Sequence, residues 1–146
     1  MGFSALELWS TELGITVSVT PEPQNSDYES GLAQVEGHEW HVRTARNTPS
    51  KPGAFVAFWQ RGVGGQTQPF SDDGMNAGLL VFVRNDVRRG VFRFSAGHLA
   101  ELGITAADGQ PGKRGFRVYP SWCEGLNSQA RAMQRAQSSE IGRAHV

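Results

Sequence analysis

The chain has 146 residues, no formal net charge, 38% hydrophobic residues, 18 glycines and one cysteine. This is enough chain for one domain with its own core, and a lone cysteine excludes an intramolecular disulfide and fits a reducing compartment. The opening MGFSALELWS has no basic run ahead of an apolar one, and the longest apolar run, residues 78–83, is far too short to cross a membrane, so a cytoplasmic protein without a membrane segment is expected.

The first predicted element is a helix. Ser4 and Glu7 have capping-box spacing, with Phe3 and Leu8 at the staple positions. Leu6, Trp9 and Leu13 share a face, and Gly14-Ile15 has the form of a Schellman stop. Strands are then predicted at 31–35, 39–45, 54–60, 78–84, 91–94 and 116–119. Gly37 suits a hairpin turn between the first two, and 86–90 suits a second. Residues 62–77, GVGGQTQPFSDDGMNA, read as a long glycine-rich loop. A short helix is expected from Ser95, containing Leu99 and Leu102 and closed by the second Leu-Gly-Ile of the chain, 102–104. A last helix spans 127–137, capped by Asn127 or Ser128. This order argues for one α+β domain over residues 1–139: a twisted central sheet, mixed or antiparallel, holding 54–60 and 78–83 and flanked by helices. Val56, Phe58, Leu80, Phe82 and Val118 are its expected core. The ending EIGRAHV, residues 140–146, resembles a sequencing adapter read through to a stop codon, so it is expected to be an artefact that truncates the natural chain near Ser139.

The zero net charge hides an asymmetry. Residues 1–40 carry seven acids and no lysine or arginine, a balance of −7, whereas residues 41–121 carry eleven bases and five acids, a balance of +6. Either the basic segment offers an anion-binding face or the acidic segment folds back and neutralises it.

Few chemistries find support. His38 and His41 are three apart on a predicted strand and so point to opposite faces, which leaves no metal pair and makes surface or half-buried histidines the expectation. GVGG at 62–65 is followed by no helix pattern, so it is not a dinucleotide fingerprint. GQPGKRG at 109–115 lacks phosphate-loop spacing and reads as a tight turn into a strand. Cys123 has no histidine near it in sequence. Neither lysine follows an acid-x-Lys pattern, and Asp72-Asp73 reads as a solvated turn rather than a metal site. No catalytic residue, metal ligand or cofactor is assigned, and the reading leans away from an enzyme.

The stretch TARNTPSKPGAFVAFWQR, residues 44–61, is the most distinctive. Thr48-Pro49 forces an extended entry and Pro52-Gly53 a turn, after which 54–60 is apolar on both faces, as in a buried central strand. Thr48-Pro49-Ser50-Lys51-Pro52-Gly53-Ala54-Phe55-Val56, followed by Trp59 and Arg61, resembles the core signature of the MepB-like family, with Ala54 where glutamine is usual and Arg46 where lysine is usual. Gly90, Phe92, Phe94, Leu99, Gly103 and Ile104, and above all Gly112-Lys113-Arg114-Gly115-Phe116-Arg117-Val118-Tyr119-Pro120 with Trp122, resemble its later half. Cys123 stands where an aspartate would follow. The resemblance covers nearly the whole chain. It implies a bacterial, cytoplasmic protein, a fold like that of restriction endonucleases and contact with nucleic acid. The missing acid-x-Lys argues against cleavage.

Three functional readings stay open. In the first, Arg46, Lys51, Arg61, Lys113, Arg114 and Arg117 hold the phosphates of DNA or RNA while Tyr119 and Trp122 stack on bases. In the second, Arg46, Lys51, Arg114 and Arg117 line a small-molecule-binding or enzyme pocket and hold an anionic ligand bidentately. In the third, the arginines form a structural network with acids such as Glu29 and Glu36. The turns before strands 54–60 and 116–119 carry both lysines of the chain, and they are expected on one side of the sheet as a single positive patch.

Overall fold

The computed structural model of the chain describes residues 3–138 and the backbone of 144–145. In chain order it has helix α1 (Ser4–Leu13), strand β1 (Val17–Pro21), a 3-10 turn (Ser26–Tyr28), β2 (Gly31–Val35), β3 (His38–Thr44), β4 (Arg46–Asn47), β5 (Ala54–Ala57), β6 (Gln60–Arg61) and β7 (Thr67–Gln68). A second 3-10 turn (Asp72–Gly74), β8 (Gly78–Arg84), β9 (Arg89–Ser95), α2 (Ala96–Glu101), β10 (Gly115–Val118), α3 (Ser128–Gln137) and β11 (Ala144–His145) follow. The α+β class is as expected from the sequence.

The helix stops follow the sequence closely. Gly14 adopts φ +69°, its N–H donates to Thr11 O at 3.1 Å and that of Ile15 to Ser10 O at 3.0 Å. At the end of α2, Gly103 (φ +75°) donates to Ala100 O and Ile104 to Leu99 O, each at 3.0 Å. Both are Schellman closures, in which glycine tolerates the left-handed residue that returns the chain. The capping box of α1 does not form. Phe3 occupies the N-cap, no side chain caps it, and Ser4 is already helical, so its hydroxyl cannot reach back to the free N–H groups. Ser95 and Asn127 do cap, accepting from the His98 and Ala130 N–H groups.

The large sheet runs β1-β2-β3-β8-β9-β11 and is mixed: β3 and β8 are parallel and every other pair is antiparallel. Glu36 and Gly37, both at positive φ, make the two-residue turn between β2 and β3. The return from β3 to parallel β8 requires a long crossover, and residues 45–77 supply it. Within that crossover lies a correction to the single-sheet expectation. β5 is the middle strand of a separate antiparallel sheet, β10-β5-β4, and the strand ends at Ala57 instead of reaching residue 60. Gln60–Arg61 pairs with Thr67–Gln68, so the expected loop 62–77 contains a strand and a 3-10 turn. Val17–Pro21 is a strand the sequence reading missed; its alternation is shallow, with half-buried and exposed residues only. The adapter reading of 140–146 falls on residues of which only the backbone of 144 and 145 is described; residues 140–143 and 146 lie outside the described residues.

Two apolar layers sandwich the large sheet. Leu79, Val81, Val83, Phe92 and Phe94 on one face meet Ala54, Val56, Phe58, Phe116 and Val118 of the small sheet. Leu80, Phe82 and Val91 on the other face meet Leu6 and Trp9 of α1. All five core residues named from sequence are buried. Each such aliphatic or aromatic side chain contributes on the order of 1.5–3 kcal/mol by leaving water. The small sheet's outer edge is closed by a side chain. The Gln137 amide donates to Arg117 O at 2.7 Å and accepts from the Tyr119 N–H at 3.0 Å.

Two glycines separate backbone constraint from mere smallness. Gly78 has φ +144°, and a Cβ there would collide with the Phe94 carbonyl oxygen and lie 2.9 Å from Ser95 Cα. Gly97 lies within α2 with open space around it. Gly78→Ala is expected to destabilise the protein by more than about 1 kcal/mol, and Gly97→Ala to stabilise it by up to about 1 kcal/mol. Urea unfolding of both variants checks the pair.

Candidate nucleic-acid interface

Cross-strand register builds a row on the outer face of the small sheet. Arg46 on β4 lies opposite Phe55 on β5, and Phe55 lies opposite Arg117 on β10. Directly opposed residues share a face, so the two arginines flank one half-buried aromatic ring. The ring of Tyr28 meets Phe55 edge-on at 6.3 Å. Glycines give the aromatics room: a Cβ on Gly115 would come 2.5 Å from Phe55 Cζ, and one on Gly53 2.9 Å from Tyr119 Cδ1. As strand alternation predicts, Phe116 and Val118 are buried while Arg117 and Tyr119 are half-exposed on the opposite side.

The Arg117 guanidinium donates to Thr48 Oγ1 at 2.8 Å and to Pro52 O at 3.2 Å, which ties it to the turn that carries exposed Lys51. Arg46, Lys51, Arg117 and Tyr119 thus gather at one end of the small sheet. Lys113 and Arg114 lie toward the other end, so the two turns do not meet in the compact patch expected from sequence. β5 and β10 are antiparallel, so the turns that precede them lie at opposite ends of the pair, about 10 Å apart at 3.4 Å per residue. Phe58 N–H donates to Arg114 O, which fixes Arg114 at the far end of β5. From that end the chain runs on to Arg61, whose guanidinium stands 4.9 Å from the Trp59 ring centre. A shallow depression of about 280 Å³ between β10 and α3 links Lys113, Arg117 and Tyr119. Trp122 packs against the core between the sheets and is only half-exposed.

The acids of the N-terminal segment do reach the bases, through other residues than Glu29 and Glu36. Asp27 lies 3.9 Å from Arg46 with both side chains largely exposed, which makes that pair worth little. Glu12 pairs with Arg89 at the surface. Glu29 instead accepts from Thr44 Oγ1 at 2.7 Å.

The strongest pair is one the sequence reading counted only as charge. Arg43 is fully buried between the two sheets. Its Nη1 donates to Glu22 Oε1 at 2.7 Å and Val42 O at 2.8 Å, its Nη2 to Asn25 Oδ1 at 2.9 Å, and its Nε to Ala57 O at 3.3 Å. The guanidinium also lies 5.1 Å from the Phe58 ring centre. Burial pushes its pKa below the ordinary arginine value, partly offset by Glu22. For Glu22, burial alone would raise the carboxyl, but neighbouring His41 and Arg43 outweigh it and hold the group below the usual carboxylate range. His41 corrects the surface or half-buried expectation. It is buried, with its ring 4.8 Å from Phe70 and 5.8 Å from Phe58, and its Nδ1 stands 3.6 Å from Glu22 Oε2. In β3 both faces are covered, so His41 and Arg43 alternate with Trp40 and Val42 without any exposed side to receive them.

Asp72 and Asp73 are exposed at their 3-10 turn. Among the described residues no three His, Cys, Asp or Glu side chains gather as a metal site would require. Burial raises the Cys123 thiol above its ordinary value against a lowering contact from the Gly53 backbone, the opposite of an activated thiolate. No helix among the described residues is long and apolar enough to cross a membrane.

Comparison with known proteins agrees with this architecture. A family model described as MepB-like matches residues 22–141. The chain is also similar to a solved structure, "Crystal Structure of MepB", at 32% identity and a TM-score of 0.81, over 92% of this chain and 91% of that one. No curated protein matches.

Removing one partner of the buried pair leaves the other charge without compensation. Glu22→Gln and Arg43→Met are each expected to cost about 3–5 kcal/mol. Because the folded pKa of Glu22 is lowered, its contribution is complete above the ordinary carboxylate range and is lost as pH falls toward the folded value. Chemical denaturation at a series of acidic pH values is expected to show a flatter acid limb for Glu22→Gln than for the wild type.

Proposed function

The chain belongs to the MepB-like family, and from that premise we propose that it is a non-catalytic nucleic-acid-binding protein of the cytoplasm, holding phosphates along its small sheet. The observation that carries the reading is the row Arg46, Phe55, Arg117 on an outward face, with Lys51 and Tyr119 beside it. Basic groups that flank half-exposed rings suit a single strand, whose phosphates take the charges and whose bases lie on the rings. Lys113 and Arg114, about 10 Å further along β10, extend the track beyond one phosphate. Arg61 beside Trp59 continues it past the end of β5. The interface is therefore a stripe in place of the compact patch expected from sequence.

The alternative, a small anion held by Arg46, Lys51, Arg114 and Arg117, gains less support. Arg114 lies at the other end from Lys51, and the depression beside Arg117 is about 280 Å³, at the lower limit of ligand pockets.

Fluorescence anisotropy with labelled single- and double-stranded oligonucleotides over a salt series tests the proposal. Binding to single strands is expected at low salt with little sequence preference, because phosphate contacts carry no base information. Lys51→Ala and Arg114→Ala should each reduce the slope of log K against log salt by about 0.7. Tyr119→Leu should weaken binding by about 1–3 kcal/mol while the slope holds. No binding at low salt, or the same slope for wild type and both charge variants, would overturn the reading.

A further inference from the structure

The β8–β9 hairpin has two unlike faces. One is wholly core: Leu79 opposite Phe94 and Val81 opposite Phe92. The other presents Leu80 opposite Arg93, Phe82 opposite Val91 and Arg84 opposite Arg89. Like charges set directly across strands are destabilising, so the pairing of Arg84 with Arg89 does not serve the hairpin itself. Arg88 in the adjoining turn adds a third charge.

This second face forms one wall of a groove of about 660 Å³, and α1 forms the other. Its floor is apolar, with Trp9 packed edge-on against Phe82 at 5.7 Å. Leu8, Leu13 and Val87 are three of the four exposed large hydrophobic residues among the described residues, and all three line it. Of the four lining arginines, Arg89 pairs with Glu12, the one acid of the lining, and Arg93 lies 5.1 Å from the Trp40 ring centre. Arg84 and Arg88 are exposed, and no carboxylate pairs with them among the described residues.

We infer that this groove is a binding site for an amphiphilic organic anion, a molecule with an apolar body and one carboxylate, sulfonate or similar head. The body lies on Trp9, Phe82, Leu8 and Leu13, and the head is held by Arg84 and Arg88, whose guanidinium forks match a carboxylate bidentately. The volume lies within the range of ligand pockets. A polyphosphate would use the arginines but would leave the apolar floor wet. A neutral apolar molecule would cover the floor and leave the arginines unused. The site is separate from the small-sheet stripe, and its test does not depend on that reading.

Isothermal titration of the full chain with dodecanoate, below its micelle concentration, is the direct measurement, with dodecanol and dodecyltrimethylammonium as matched probes. One dodecanoate per chain is expected, bound at least about tenfold more tightly than either probe. The double variant Arg84→Glu/Arg88→Glu should lose at least about tenfold in affinity, Leu13→Gln should weaken binding, and Arg117→Ala should leave it unchanged. Both arginines are exposed, so the charge variants should keep the wild-type circular dichroism, and the milder Arg88→Gln provides a second reading of the same contact. Equal binding of dodecanol or the cationic probe would overturn the inference. So would unaltered affinity in the folded double variant, displacement of dodecanoate by an equal concentration of a short oligonucleotide, or self-association of the chain that Leu13→Gln abolishes.

Discussion

One guanidinium fixes how the two sheets meet. Arg43 leaves the large sheet from β3, bonds the Ala57 carbonyl of the small sheet, and gathers Glu22 and Asn25 from the segment between β1 and β2. Four of its five N–H donors are used in the bonds described. The same Asn25 oxygen also accepts from the Trp59 N–H at 3.2 Å, so the segment after β5 is tied to the same point. A buried ion pair gains little stability over apolar residues of equal shape, because both charges lose their water. Its effect is geometric. A small sheet shifted by one residue would turn the neighbouring carbonyl to the opposite strand edge and leave the buried Arg43 Nε–H without its acceptor. The aromatic layer of His41, Phe58 and Phe70 closes around this point, with Phe58 and Phe70 stacked at 4.4 Å.

The local grammar of the chain was legible because it depends on few residues. Leu-Gly-Ile stops, the Asn127 cap, the start of a helix near Ser95, the Gly37 turn and the alternation of 116–119 each follow from neighbours in sequence. The allocation of strands to sheets was not legible. A run apolar on both faces fits a central strand of any sheet, and Ala54–Ala57 is central only among β10, β5 and β4. Arg43 was hidden for a related reason. Nothing within HEWHVRT distinguishes a charge at a rim from one between two sheets until the second sheet is known. The reading of the basic turns failed on strand direction: two turns with similar motifs, each before a strand, are adjacent only if those strands are parallel.

The acidic start and basic middle of the chain have a structural resolution that is only partial. Glu22 is consumed within the core, Glu12 pairs with Arg89 at the surface, and Asp27 stands beside Arg46 only in an exposed, weak pair. The positive charge that remains is divided between two regions of different character. Along the small sheet it alternates with half-exposed rings. At the β8–β9 hairpin it rims a groove with an apolar floor. Net charge could not have distinguished these, since it records how many groups there are and not what lies between them.

The Gln137 side chain has a consequence for how molecules of this protein meet one another. β10 is the outermost strand of its sheet, and such a strand offers unpaired N–H and C=O groups to any extended chain that drifts past. A single carboxamide imitates the missing neighbour, donating to one backbone group and accepting from the next on the same edge. It does so from the last turn of α3, so the end of that helix blinds the edge. Loosening of α3 would expose a sticky border, and the colloidal behaviour of the protein in a crowded cell then depends on a helix end and not on the sheet it shields.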